Sequence, residues 1–211
     1  EIQFPFSDPT ADGPAIEKAC STALEKGVKV DDGFTLVGKI TSFSDIPVFI
    51  MTYGSIVFAR GIEKFVRDSA SSGAEGLIVP DMPYDYDEGL GKTCRSFNIE
   101  CVPVIVPSMK NERIKKVIEP GTGYIYAALR SGTTGVKTVI DHSCIAFLEN
   151  IKKSGSKVMA GFGLRSKDQI SQLEGLADYY IVGSAIVGMI DTITGEAGTY
   201  DRIGDYIKTL L

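Results

Sequence analysis

The chain has 211 residues, a net charge of −5, and 44% hydrophobic against 23% charged side chains, a balance that can bury a core and so excludes a disordered chain. The acidic sign excludes the basic surface a nucleic-acid backbone requires, and no apolar run reaches the roughly 20 residues needed to span a bilayer. A single histidine, His142, excludes multi-histidine metal centres. Cys20, Cys94, Cys101 and Cys144 contain no C-x-x-C pair and read as buried apolar side chains of a reduced, cytoplasmic protein.

In chain order, Glu1 reads as the end of a strand already under way. Pro5-Phe6-Ser7-Asp8-Pro9 and Ala11-Asp12-Gly13-Pro14 form the connection that follows. A helix is predicted from Pro14, because proline suits the first helical position and Ile16, Cys20, Ala23 and Leu24 recur at helical spacing. Taken alone, Asp12 reads as the N-cap of that helix. Short, mostly apolar runs then predict strands at 46–53, 76–80, 100–106, 124–128, 157–160 and 179–182, as in a parallel sheet buried on both faces. Helical faces alternate with them. Ile62, Phe65, Val66 and Ala70 form one, and Ile114, Val117 and Ile118 form another that Pro120-Gly121 should stop. His142 sits beside Asp141 at a predicted helix start. Ser166-Lys167-Asp168-Gln169 has the form of a capping box opening a helix with Ile170 and Leu173, and Ile203, Tyr206, Ile207 and Leu210 predict a closing helix. No linker interrupts the pattern, so one domain is expected over 1–211. The alternation implies a doubly wound sheet or a (β/α)8 barrel, and both place chemistry at the carboxyl ends of strands.

Three features lie at such ends. Gly161-Phe162-Gly163 and Gly183-Ser184 follow the last two strands, where glycines admit an anion close to the backbone and a short helix after Gly183 would aim its free amides at it; the pair reads as a phosphate cradle. Arg130-Ser131-Gly132-Thr133-Thr134-Gly135 follows the 124–128 strand and reads as a lid loop. Glu1 and Asp12, on the first connection, face the cradle from the opposite side as a candidate acid/base pair, with Asp81 as a further carboxylate at a strand end.

Together these segments resemble the tryptophan synthase alpha chain. The resemblance rests on the opening block Pro5 to Pro14, Leu77-Ile78-Val79-Pro80-Asp81, Tyr124-Ile125-Tyr126, Arg130-Ser131-Gly132, Thr134-Gly135, Gly161-Phe162-Gly163 and Gly183-Ser184-Ala185-Ile186-Val187, in the family's order along the chain. It implies a (β/α)8 TIM barrel that cleaves indole-3-glycerol phosphate to indole and glyceraldehyde 3-phosphate, with no metal or organic cofactor of its own. Glu1 would be the general acid/base and Asp12 would hold the indole N–H. Gly135, Gly163, Gly183 and Ser184 would bind phosphate, while Tyr126, Phe162, Ile78 and Thr134 would form the indole pocket. A beta chain carrying pyridoxal phosphate would be the partner in an alpha2beta2 assembly, with Asp8 near the contact. Gln3 and Phe4 depart from the family's glycine and Ile or Val. A second reading keeps the fold and partner but not the chemistry: an alpha-like subunit that activates a beta chain with little lyase activity of its own. Another phosphate-binding barrel enzyme is disfavoured by Pro5 to Pro14. Six predicted strands and a stub, against the eight of a closed barrel of about 250 residues, lead to the expectation that some 45 to 50 residues carrying the first strand and most of the second precede Glu1.

Overall fold

Side chains alternate across a strand, and in the computed structural model that alternation sorts the strand residues into an inner and an outer set. The structure describes residues 1–118, 122–130, 132, 134, 138–191 and 199–211. Its strands are β1 (Ile2–Gln3), β2 (Phe49–Met51), β3 (Gly76–Ile78), β4 (Glu100–Val102), β5 (Val104–Ile105), β6 (Tyr124–Ala128), β7 (Lys157–Gly161) and β8 (Tyr179–Tyr180). All pair in parallel and in chain order, as β1-β2-β3-β4 and β5-β6-β7-β8. Pro103 separates β4 from β5 because it has no N–H to give a ladder. Its carbonyl still accepts from Tyr126 N at 2.9 Å, so the two sheets are one continuous wall.

Phe49, Met51, Ile78, Val102, Tyr124, Tyr126, Ala128 and Met159 form a single inner cluster. Their neighbours Ile50 and Leu77, and Ile125, Ala127, Val158 and Ala160, point the other way into two clusters shared with the helices. A parallel sheet whose inner face packs on itself while helices cover the outer face is the wall of a β/α barrel. The helices are α1 (Pro14–Glu25), α2 (Val30–Thr41), α3 (Gly54–Arg60), α4 (Ile62–Ser71), α5 (Leu90–Ser96), α6 (Asn111–Ile118), α7 (His142–Lys152), α8 (Lys167–Ser171), α9 (Ser184–Asp191) and α10 (Thr199–Leu210). Among the described residues no ladder joins β8 to β1. Instead α1 meets α9 across that seam, and an apolar groove of about 500 Å³ lined by Phe4, Ile16, Ala23, Leu36 and Val187 runs beside β1. No described helix is long and apolar enough to cross a membrane.

Several local expectations change. The first strand does not end at Glu1: Ile2 and Gln3 pair with Ile50 and Met51, and Phe4 N–H donates to Met51 O at 2.9 Å. Asp12 is not the cap of α1; that position is Gly13, without a side-chain cap bond. His142 does open α7, which Asp141 caps by accepting from Cys144 N at 2.9 Å. Helix α8 starts as expected, but its box does not form. Gln169 turns inward, donating to Thr138 O and Gly163 O. Cys101 is half-buried rather than buried, since it borders a side groove with Tyr84 and Arg95. The predicted stop at Pro120-Gly121 lies outside the described residues.

Phe4 shows how a large residue fits just after Glu1. Its ring is 1% exposed and meets Phe34 and Phe65 edge-on, with centroids at 5.1 and 6.1 Å. The space comes from Gly33 of α2, where an added Cβ would lie 2.6 Å from the ring. Gly33→Ala is therefore expected to destabilise the protein by about 1–3 kcal/mol despite alanine's better helix propensity, measured by urea unfolding. Equal or greater stability in the variant would show that Phe4 can step aside.

Candidate active site

A cleft opens at the carboxyl ends of the strands, with Glu1, Asp12, Tyr126, Thr134, Phe162, Gly163, Gly183 and Ser184 all on its wall. Eight of the residues singled out in the sequence thus converge on one place, although they come from both ends of the chain. Its interior leaves about 30 Å³, room for a single water.

Gln3 on β1 and Glu1, the residue before β1, are two positions apart and share the cleft-facing side. As a residue Glu1 is exposed at the start of the chain, but its carboxyl points into the cleft. Burial pushes that carboxyl up to about 7, and Asp12 adds to the rise. Asp12 is 6% exposed and tied from several sides. Its Oδ2 accepts from Tyr53 OH at 2.7 Å and from Gln3 Nε2 at 2.6 Å. Burial raises the Asp12 carboxyl above its ordinary range, while hydrogen bonds from Tyr53, Gln3 and Thr134 pull it back. Tyr53, 1% exposed and stacked on Phe6 at 5.2 Å, also accepts from Ala11 N at 3.1 Å, so its phenol fixes both the backbone and the side chain of this connection. Burial, then the bond to Asp12, hold that phenol in its protonated, donating form.

Thr134 joins the loop after β6 to the same connection. Its N–H donates to Ala11 O at 3.2 Å, and its hydroxyl accepts from Gly13 N at 2.8 Å. At the other end of the cleft, Phe162 and Gly163 turn with φ of 73° and 95°, a left-handed geometry that is uncommon for an aromatic residue. The turn is held from behind: Thr138 Oγ1 donates to Phe162 O at 2.6 Å, and Gln169 Nε2 to Gly163 O at 3.1 Å. Gly183 and Ser184 open α9, whose first amides point toward this end. Tyr126 crosses to Phe162 edge-on at 6.0 Å. Gly161 is required beneath it, because a Cβ there would collide with the Tyr126 hydroxyl.

Other expected residues stand apart. Ile78 is fully buried in the inner cluster with Tyr126 and Phe162, beneath the cleft rather than on its wall. Asp81 accepts from Gly54 N at 2.9 Å and so serves the first turn of α3. Asp8 is exposed and accepts from Ser7 Oγ at 2.6 Å. Arg130 is half-buried beside Gly132, whose φ is 102°. Ser131 and Gly135 lie outside the described residues. Gln3 and the paired backing residues Thr138 and Gln169 were not marked as site residues in the sequence; a polar residue inside an otherwise apolar strand end was the available signal for Gln3. Among the described residues no group of three His, Cys, Asp or Glu could hold a metal ion.

The family model for the tryptophan synthase alpha chain matches residues 1–206. The tryptophan synthase alpha chain of Clostridium beijerinckii is 38% identical over 211 residues, covering all of this chain and 79% of that protein. The one from Caldanaerobacter subterraneus is 37% identical over the same length and 80% of its own. Among solved structures, the tryptophan synthase complex of Pyrococcus furiosus superimposes with a TM-score of 0.88 at 27% identity, covering 99% of this chain and 84% of that one. Tryptophan synthase of Mycobacterium tuberculosis gives 0.87 at 31% identity, covering 100% and 78%. The barrel wall, the carboxylate pair at one end of the cleft and the glycine turns at the other accord with these matches: the chain belongs to the tryptophan synthase alpha chain family, which cleaves indole-3-glycerol phosphate in tryptophan biosynthesis.

Proposed function

We propose that residues 1–211 form one barrel domain acting in the cytoplasm as a carbon–carbon lyase, splitting indole-3-glycerol phosphate into indole and glyceraldehyde 3-phosphate by an acid/base-assisted retro-aldol reaction. The observation that carries this reading is the pairing of two unlike carboxyls in one cleft: Glu1, which burial holds near 7, and Asp12, which burial raises and the hydrogen bonds from Tyr53, Gln3 and Thr134 pull back. Glu1 delivers its proton to C3 of the indole ring, which makes the ring an electron acceptor. Asp12 accepts the ring N–H and stabilises the positive charge that develops there. The Glu1 carboxylate then takes the proton of the adjacent glycerol hydroxyl. The C–O bond becomes the aldehyde carbonyl, the C–C bond breaks, and its electrons return to the ring to restore indole. One proton is given and one taken, so no outside reactant is needed.

The phosphate is assigned to Gly163, Gly183 and Ser184 at the start of α9, with Gly135 completing the cradle; Tyr126, Phe162 and Thr134 enclose the ring over Ile78. Arg130, Ser131 and Gly132 are assigned to a lid loop over the ligand. The partner is a beta chain in an alpha2beta2 assembly, met near Asp8, and pyridoxal phosphate belongs to that partner. The test is indole release from indole-3-glycerol phosphate by purified protein with and without a beta chain. Release is expected in both, faster with the partner. Stimulation of the beta chain without any indole release would instead support an alpha-like activator.

A further inference from the structure

We propose that Gln3 is a positioning residue for the lyase reaction: its side-chain amide clamps Oδ2 of Asp12 so that the other carboxylate oxygen is presented to the ring N–H of the substrate. This inference rests on the proposed function and adds a residue to it.

The geometry is specific. Gln3 projects from β1 on the side that Glu1 also uses, and its Nε2 reaches Asp12, nine residues on, at 2.6 Å. Tyr53 donates to the same oxygen from the end of β2 at 2.7 Å. Two donors, one on β1 and one at the N-cap of α3 just beyond β2, therefore converge on one oxygen and fix the rotation of the carboxylate about its Cβ–Cγ bond. Either bond alone would leave that rotation softer. A substrate N–H needs an oxygen already pointing at it, because catalysis gains most from groups that need no rearrangement as charge develops. The choice of an amide also matters. Gln3 stands between two acids, and being neutral it can donate without taking the proton that Glu1 must carry. A lysine there would form an ion pair with either carboxyl, and a glutamate would compete with Asp12 for the Tyr53 proton.

The groups facing Asp12 are Glu1 and Gln3 from β1, Tyr53 after β2, Glu17 and Cys20 from α1, Tyr126 from β6 and Thr134 from the following loop. Of these, only Gln3, Tyr53 and Thr134 support the charged form, and Gln3 is the one among them that reaches Asp12 from β1, the strand that follows Glu1.

Gln3→Met keeps the length and bulk of the side chain and removes the donor. Two readouts decide. In the first, the carboxyl carbon of Asp12 is titrated by NMR in carbon-13 aspartate-labelled protein, with Asp12→Asn giving the assignment. The Asp12 midpoint should move up by about one pH unit in Gln3→Met, the size expected for losing one hydrogen bond to a charged group. In the second, the acid limb of kcat/KM for indole release should move up with it. Below the wild-type Asp12 midpoint kcat/KM should fall by up to about tenfold, and kcat should fall with it while KM changes less than twofold. An unmoved Asp12 titration overturns the proposal, and so does a shifted titration with unchanged kcat. A role in packing alone would lower the melting temperature and leave both midpoints in place. If Gln3→Met does not fold, Gln3→Ala takes the same measurements. Should the wild-type protein release no indole, the lyase reading fails while the NMR titration still decides whether Gln3 holds Asp12.

Discussion

Glu1→Gln should cut indole release by about a thousandfold while leaving the fold intact, because the reaction needs one group to give a proton to the ring and then take one from the hydroxyl. Glutamine keeps the shape and can do neither. The wild-type carboxyl is suited to both steps because burial holds it at about 7, so both forms are present at neutral pH. The alkaline limb of kcat/KM should accordingly fall near pH 7, where the proton destined for the ring is lost. A stability measurement on the same variant checks the cause. The folded carboxyl titrates at about 7 against 4.5 ordinarily, so between these values the folded state holds the extra proton. Stability due to Glu1 is thus full below about 4.5 and is lost as pH rises through 7. Glutamine has no proton to lose. The variant should melt with the wild type at pH 4.5 and above it at pH 8. A variant that retains a tenth or more of the wild-type rate removes Glu1 from the chemistry.

What the sequence disclosed and what it hid follow from the range of the interactions. The strand at 124–128 could be read at full length because all five of its residues are buried, and a run without alternation is what two covered faces require. Helix α2 was invisible for the opposite reason. Its Val30-Asp31-Asp32-Gly33 start has poor helix propensity, and it is stabilised by the packing of Phe34 and Val37 on Phe4 and Phe65, which only the folded chain brings together. The cleft divides in the same way. Glycines at Gly163 and Gly183 announce themselves locally, since few other residues tolerate a close backbone approach. Asp12 looked like an N-cap by its neighbours, yet its partners are Tyr53, 41 residues away, and Gln3 on the paired strand. Local pattern proposes a role for a carboxylate, and the long-range donors decide it. The backing pair Thr138 and Gln169 is hidden for a further reason: each works through carbonyl oxygens of Phe162 and Gly163, and backbone acceptors leave no mark in a sequence.

Asp12→Asn should lower kcat by about a hundredfold to a thousandfold with little change in KM, because the interaction it removes strengthens only as the ring nitrogen becomes positive. Asparagine matches aspartate in size, so the loss separates charge from shape. The hydrogen-bond pattern adds to it. Tyr53 and Gln3 both donate to Oδ2, so the asparagine amide must place its carbonyl there and turn its NH₂ toward the substrate. That sets a donor against the ring N–H, where the wild type offers an acceptor. Tyr53→Phe makes the needed comparison. It removes one of the two donors on Oδ2 and leaves the charge, so its kcat should fall by about tenfold, well short of Asp12→Asn. It should also loosen the connection, because Ala11 N loses its partner at 3.1 Å. The order of the three proteins is therefore fixed in advance: wild type, Tyr53→Phe, then Asp12→Asn. An Asp12→Asn protein that folds, stimulates a beta chain and still releases indole at a third of the wild-type rate would reduce Asp12 to a structural anchor of the first connection. If Tyr53→Phe proved slower than Asp12→Asn, the hydroxyl rather than the carboxylate would be the group that meets the ring.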